Sequence, residues 1–265
     1  MNMNSLSIVI STYNSPKYLE LVLNGIINQH DQNFECIIAD DGSGEETENL
    51  VKKFSKKRKF IHAWHEDKGF RLAAIRNRAI AIASGASIAF IDGDCIPAPE
   101  YSEDAKRLMQ RSAKLNLNLY FQGHRVILDE YISTRISQSK NIFGFGWKFS
   151  NMHHLSNLTN SFRYPYPIVP TVKTKGIRGC NMLFKREHLV AVNGFDEEFV
   201  GWGHEDRDIV ERLFKIGVRR ADARGSMTVY HLYHPEHDRS ASEKNLKLSL
   251  SERPIKAKQG LVKCG

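Results

Sequence analysis

Residues Ser87–Pro99 read SIAFIDGDCIPAP, and no other stretch restricts the fold as tightly. Ile88, Ala89, Phe90 and Ile91 form a short unbroken apolar run between turn-formers. That is the pattern of a strand buried on both faces, as in a parallel sheet. Pro97 and Pro99 keep the strand from continuing. Asp92 and Asp94 are thus left at the carboxyl end of a buried strand, the edge where open α/β sheets bind ligands. Gly93 between them lets the backbone turn, so that both carboxylates reach one ligand. Two hard oxygen donors beside a turn suit a divalent cation carrying a phosphorylated substrate. A bare Asp-Gly-Asp is also the composition of a solvated acidic turn, so the weight falls on the rest of the chain.

Upstream, Ser7–Ser11 (SIVIS) is a buried first strand, and Ser15-Pro16 supply an N-cap and a first-turn proline. Leu19, Val22, Leu23, Ile26 and Ile27 recur at helical spacing, so Pro16–Gln29 is an amphipathic helix. Phe34–Ala39 is a second strand that again ends in carboxylates, Asp40 and Asp41. A lysine-rich helix, a short strand near Phe60–Trp64 and an Ala/Ile-rich helix over Arg71–Ala83 lead to the central strand. This βαβαβαβ order predicts a parallel, doubly wound sheet with right-handed crossovers.

Past Pro99 the pattern changes. Glu100–Lys114 reads as a helix, and Leu115–Leu128 alternates like one antiparallel strand. Asn141–Val172, rich in Gly, Pro, aromatics and Asn, is expected to be a loop with little regular structure that covers the site. Gly176–Lys185 is a further strand. Ile209, Val210, Leu213 and Phe214 are the apolar face of a helix ending at Gly217. Met227–His234 is a strand, and the lysine-rich remainder is a weak tail.

Hydrophobic residues make up 41% of the 265, enough for one large core. The net charge of +8 is compatible with nucleic acid, an anionic membrane surface or a phosphorylated substrate. The basic residues are dispersed apart from a cluster over Lys52–Lys59, which reads as a solvated helix end. No nucleic-acid-binding motif accompanies them, so nucleic acid is not an expected partner. The four cysteines are far apart, without Cys-x-x-Cys, and read as free thiols in a reducing compartment. No signal peptide is visible, and no apolar run approaches the roughly 20 residues that span a bilayer. A cytoplasmic location follows as an expectation.

Four further constellations carry chemistry. Asp40-Asp41 can accept hydrogen bonds from a base or ribose, or cap a helix. Arg71 and Arg76 can meet phosphate oxygens at the ligand edge, or form a solvated helix face. Glu205 and Asp206 open a helix and diverge by about 100° around its axis, so they can serve different partners. The helix N-terminus favours their anionic forms, while their mutual repulsion raises one pKa. A carboxylate poised this way accepts a proton from a hydroxyl, and Trp202 beside it offers an apolar plane. Finally, alternation places His231 and His234 on opposite faces of a regular strand. At most one then reaches a metal, unless the strand ends between them. A zinc site is disfavoured without a cysteine pair.

These motifs in this order resemble the GT-A fold of family 2 glycosyltransferases, in the branch with a galactosyltransferase-like C-terminal part. The matching segments are SIVISTYN, ADDGS at Ala39–Ser43, KGFRLAAIRN at Lys68–Asn77 and FIDGDCIP at Phe90–Pro97. RGCNMLFKR at Arg178–Arg186, NGFDEEFVGWGHED at Asn193–Asp206 and VYH at Val229–His231 complete the set. The resemblance implies an α/β single domain over residues 1–240 with a mostly parallel central sheet. Residues 1–99 would be the nucleotide-sugar half and 100–240 the acceptor half, followed by a basic tail over 241–265.

The resemblance also implies roles. Thr12, Tyr13, Asn14, Asp41, Arg71, Arg76, Asp92 and Gly93 would bind the donor, with Asp41 on the base and Asp92 on the ribose or metal. Asp94 and His231 would ligate Mn²⁺ (or Mg²⁺), the histidine favouring Mn²⁺. Asp206 would be the catalytic base, with Glu205 holding the acceptor beside Trp202, Gly203 and Asn181. The expected partners are a UDP-sugar, a glycan or lipid-linked glycan acceptor, and an anionic leaflet touched peripherally. The expected activity is inverting, metal-dependent sugar transfer in bacterial surface polysaccharide or lipopolysaccharide synthesis. A sugar-nucleotide nucleotidyltransferase would want a Gly-rich basic loop after the first strand, where this chain has Thr12–Pro16. A dinucleotide oxidoreductase would want Gly-x-Gly-x-x-Gly there.

Overall fold

A computed structural model describes residues 5–139, 154–163, 166–235 and 238–263. The first half runs as β1 (Leu6–Thr12), α1 (Pro16–Ile27), β2 (Glu35–Asp40), α2 (Glu45–Ser55), β3 (Ile61–Trp64), α3 (Leu72–Ile82) and β4 (Ser87–Asp92). Strand β1 lies between β2 and β4, parallel to both, and β3 follows β2. The chain moves outward from β1 to β3, then returns to β1's other side. The strand order therefore reverses between β1 and β4, and the crevice beyond their carboxyl ends is the ligand position of such sheets. Ser11 pairs with Asp92 in register, which brings Thr12 and the Asp-Gly-Asp turn together. The Gly93 amide donates to the Ser11 carbonyl at 2.7 Å. A Cβ on Gly93 would lie 2.9 Å from that carbonyl oxygen, so the close approach requires glycine.

Ile8 and Ile10 face one buried cluster and Val9 the other, as the unbroken apolar run of β1 demands. Phe90 of β4 packs edge-on against Phe184 and Phe195, and Tyr120 stacks on Phe184. These rings fix the distance between β4 and the second half.

The second half differs from the sequence expectation in five places. Leu115–Leu128 is two strands, β6 (Leu119–Gln122) and β7 (Arg125–Leu128), in different sheets. The break falls at Gly123, where a Cβ would lie 2.2 Å from the Asn181 side chain. Strand β6 extends the large sheet beside β9 (Asn181–Lys185), which is antiparallel to both β4 and β6. A later strand, β10 (Arg219–Asp222), adds the outer edge. Its sequence, RRAD, hides a buried strand because the Arg220 guanidinium is satisfied by Asp222 and the carbonyls of Lys173 and Lys175.

Strand β7 joins a four-stranded sheet with β5 (Cys95–Pro97), β8 (Leu155–Ser156) and β11 (Val229–His231). Much of the expected loop over Asn141–Val172 lies outside the described residues. The described part carries β8 and a 3₁₀ turn at Leu158–Ser161, so it is not irregular throughout. Helix α5 (Glu130–Ser139) also went unread, although Asp129 caps it by accepting the Ile132 amide at 3.0 Å.

The remaining helices are α4 (Tyr101–Lys114), α6 (Arg186–Ala191), α7 (Glu205–Lys215) and α8 (Ser242–Leu250). The expected weak tail is instead folded. Helix α8 docks through the buried polar residues Asn245 and Ser249. Beyond it, Arg253 pairs with Asp196, Glu198 and Asp208. Asn193 holds the carbonyls of Ala257 and Val262 at 2.7 and 2.8 Å. The terminal segment thus straps the loop that feeds α7.

Candidate active site

The carboxyl ends of β1, β2 and β4 build one wall of the crevice. Asn14, at a left-handed φ of 43°, donates its amide to Ser43 Oγ and accepts the Gly44 amide, latching the loop after β1 to the loop after β2. Tyr13 is exposed and donates its hydroxyl to Asp67 Oδ2 at 2.9 Å. Thr12 Oγ1 is buried with no hydrogen-bond partner, a polar atom facing the switch point. Asp41 lies 2.5 Å from His65 Nε2 and accepts the Arg71 amide at 2.8 Å. Burial raises the Asp41 pKa against these two contacts. Its neighbour Asp40 is fully buried against His62 and the Ser43 amide, so the pair splits into one structural and one crevice carboxylate. His62 and His65 escaped the sequence reading. Their signal is an acid pair ending β2 with two histidines on and just after neighbouring β3.

Arg71 and Arg76, expected to face phosphate, do otherwise. The Arg71 guanidinium donates to the Glu66 carbonyl and closes its own loop. Arg76 is 1% exposed. Its guanidinium reaches Glu205 Oε1 at 3.2 Å, Asp92 Oδ1 at 3.1 Å, the Gly179 carbonyl at 3.2 Å and Ser11 Oγ at 3.3 Å. The fork lies beside the Phe195 and Phe90 rings. One buried cation therefore ties the end of β4 to the start of α7. Burial, with Asp94 adding repulsion, pushes Asp92 up to about 6 despite Arg76. Burial, then Asp206, pushes Glu205 up to about 7.

Asp94 sits where β5 and β11 converge. His234 Nε2 lies 3.0 Å from Asp94 Oδ2 and His231 Nε2 3.8 Å from it. Strand β11 ends at His231, so the expected separation of the two histidines on opposite faces is corrected: their rings are 5.1 Å apart, both toward Asp94. Burial lowers His231 to about 4, keeping its imidazole in the neutral, ligating form. The hydrogen bond to Asp94 raises His234. Burial works to raise Asp94, but the bond to His234, with the neighbouring imidazoles, outweighs it and holds the carboxyl low.

Asp94, Cys95 and His231 offer ligand atoms within 4.8 Å of one another. The Cys95 thiol is fully buried, which drives its pKa well up, and it donates to Asp94 Oδ1 at 3.2 Å. The oxygen and imidazole donors that remain fit a borderline-hard divalent cation.

The opposite wall is the Gly201–Asp206 turn. Gly201, Gly203 and His204 all adopt left-handed φ, of 82°, 99° and 73°. A histidine held there is strained backbone at the entrance to α7. Asp206 accepts the Gly179 amide at 2.8 Å through Oδ2 and the Arg207 amide at 2.7 Å through Oδ1. Its partner Glu205 turns inward to Arg76, as the divergence of adjacent helical residues requires. Trp202 is half-buried, with the Arg239 guanidinium 4.9 Å from its ring. Asn181, expected to touch an acceptor, is fully buried and corrects that expectation. It donates to the carbonyls of His124 and Met227 and accepts from the Tyr101 hydroxyl.

Carboxylates gathered at the switch point of a doubly wound sheet, with a second half folded across its edge, define a GT-A fold. The glycosyl transferase family 2 profile matches residues 7–189, and the profile for the N-terminal domain of galactosyltransferase matches residues 153–238. The chain belongs to glycosyl transferase family 2. It is 27% identical to chondroitin synthase of Escherichia coli over 95% of its own length and 38% of that protein's. It is 27% identical to hyaluronan synthase of Pasteurella multocida over 94% of its length and 27% of that protein's. The chain thus spans well under half of these relatives. The crystal structure of S. aureus TarS 1-349 in complex with UDP-GlcNAc shares the fold with a TM-score of 0.65, at 18% identity, covering 92% of this chain and 65% of that one.

Proposed function

We propose that the protein is an inverting, divalent-metal-dependent transferase that moves a sugar from a UDP-sugar to a glycan hydroxyl. The observation that carries this reading is the buried Arg76, which joins Asp92 on the β4 wall to Glu205 on the α7 wall. It supports one crevice with a carboxylate on each side. Asp41 is suited to the base and Asp92 to the ribose, with Thr12, Tyr13 and Asn14 shaping the floor. Asp94, His231 and His234 would hold Mn²⁺ (or Mg²⁺), which when bound offsets charge on the departing diphosphate. Asp206 takes the proton from the acceptor hydroxyl as its oxygen attacks the anomeric carbon. The bond to the diphosphate breaks on the opposite side, so an α-linked donor yields a β-linked product. Arg76 keeps Glu205 inward, leaving Asp206, oriented by the Gly179 and Arg207 amides, as the base.

The relatives that build chondroitin and hyaluronan support a polysaccharide or lipid-linked glycan as acceptor. No helix among the described residues is long and apolar enough to cross a membrane. The charge of +8 supports peripheral work beside an anionic leaflet, as in bacterial surface polysaccharide or lipopolysaccharide synthesis. The test is nucleotide release from a panel of nucleotide-sugars with Mn²⁺, with and without deacylated surface glycan. Acceptor-stimulated UDP release and a β-linked product are expected. Release from ADP- or GDP-sugars alone, or an α-linked product, overturns the reading.

A further inference from the structure

A cavity of about 300 Å³ opens on the side of the fold away from the Asp41 wall, lined by His124, Asn157, Thr159, Asn160, Arg178 and Arg224. Every one of these side chains is polar. Such a pocket gives no apolar plane to an aliphatic chain and is too small for a polymer backbone, but it holds two guanidiniums. Arg178 and Arg224 are both exposed. Arg224 lies 5.7 Å from the Tyr166 ring and reaches its hydroxyl at 3.3 Å, which steadies the stem. His124 Nε2 is buried with no hydrogen-bond partner. Asp222 lies 4.0 Å from that nitrogen, but its charge is already matched by two hydrogen bonds from Arg220.

The pocket's position decides what the cation pair can serve. His124 follows the carboxyl end of β6, and Arg224 follows that of β10. Both strands lie on the far side of β9 and β4 from β1 and β2, away from the wall assigned to the nucleotide. Arg178 directly precedes Gly179, whose amide holds Asp206. The pocket's lining is therefore joined through the Arg178–Gly179 backbone to the proposed base.

We propose that this pocket is a subsite for an anionic group, carboxylate or phosphate, on the acceptor glycan, recognised by Arg178 and Arg224. The proposal rests on the transferase reading and adds a substrate class to it: an acidic acceptor. Paired guanidiniums suit a planar or tetrahedral oxyanion because they present parallel N–H donors.

The test uses the full chain and three acceptors that differ by one group: a β-glucoside, the matching β-glucuronide and the matching 6-phosphate. Wild type is expected to favour a charged acceptor by about tenfold to a hundredfold in kcat/KM, through KM, as for charge-assisted hydrogen bonds. The preferred partner tells carboxylate from phosphate. In Arg178→Gln and Arg224→Gln the charged-to-neutral ratio is expected to fall toward one. A ratio near one in wild type, or unchanged in both variants, overturns the proposal. If none of the three supports transfer, the pocket is read directly, independently of the transferase reading. Methyl glucuronide and inorganic phosphate are titrated while the His124 ring protons are followed by NMR. Saturable shifts in wild type that vanish in Arg224→Gln, with the fold intact by circular dichroism, sustain the subsite. Their absence in wild type sinks it.

Discussion

Replacing Arg76 with Met would leave the buried Glu205 and the part-exposed Asp92 without their shared cation. Breaking a buried pair this way costs about 3–5 kcal/mol. Arg76→Met should lose that much in urea unfolding, and Arg76→Lys should recover only part, because an ammonium cannot fork to four acceptors. A loss under about 1 kcal/mol would mean the fork is not what joins the walls. Glu205 adds a pH signature. Its folded pKa is raised to about 7 from an ordinary 4.5. The protonated form is the one the fold favours, so its contribution is full below about 4.5 and is lost as pH rises through about 7. Glu205→Gln should therefore gain stability over wild type at pH 8 relative to pH 5, and parallel urea midpoints at the two values would refute this. For Asp206→Asn the expected change is kinetic, a kcat lower by about 10²–10⁴ with donor affinity kept. A near-normal kcat, or a larger kcat loss in Glu205→Gln, would move the base elsewhere.

At the scale of elements, the strap formed by the terminal segment is the feature with most mechanical consequence. Arg253 serves Asp196, Glu198 and Asp208, two of them fully buried. Arg253→Ala should cost about 3–5 kcal/mol and loosen the loop into α7, seen as faster amide exchange over residues 193–206. Unchanged exchange there would leave the strap without a role in the site. The strap also shows where sequence reasoning stops. Strands β1, β2 and β4 were legible because each is an unbroken apolar run cut by turn-formers. Helix α8 was not, since it docks through Asn245 and Ser249 and shows little apolar periodicity. Strand β10 was hidden by Arg220, whose charge meets Asp222 two residues on and whose remaining donors are satisfied by the distant carbonyls of Lys173 and Lys175. Among candidate site residues, the placement of Asp92 and Asp94 at a strand end and of Asp206 at a helix start was legible from motif and pattern. The burial of Arg76 and of Asn181 was not, because each depends on packing between the halves. His231 and His234 turned on one residue: the strand ends between them, and alternation no longer separates them.

For the molecule as a whole, the claim is that two halves of one GT-A domain close a crevice that holds a nucleotide through a divalent cation. The sheet supplies the first wall at its switch point. The small sheet brings Asp94, His231 and His234 together beside it, and α7 carries Asp206, the proposed base. Calorimetric titration of UDP with Mn²⁺ into wild type, Asp94→Asn, His231→Ala and His234→Ala tests this most directly. Wild type should bind UDP far more tightly with Mn²⁺ than with chelator. Asp94→Asn should abolish that difference, and each histidine variant should weaken it by roughly tenfold or more. Equal UDP binding by wild type and Asp94→Asn, with the fold intact by circular dichroism, would contradict the metal-held donor site.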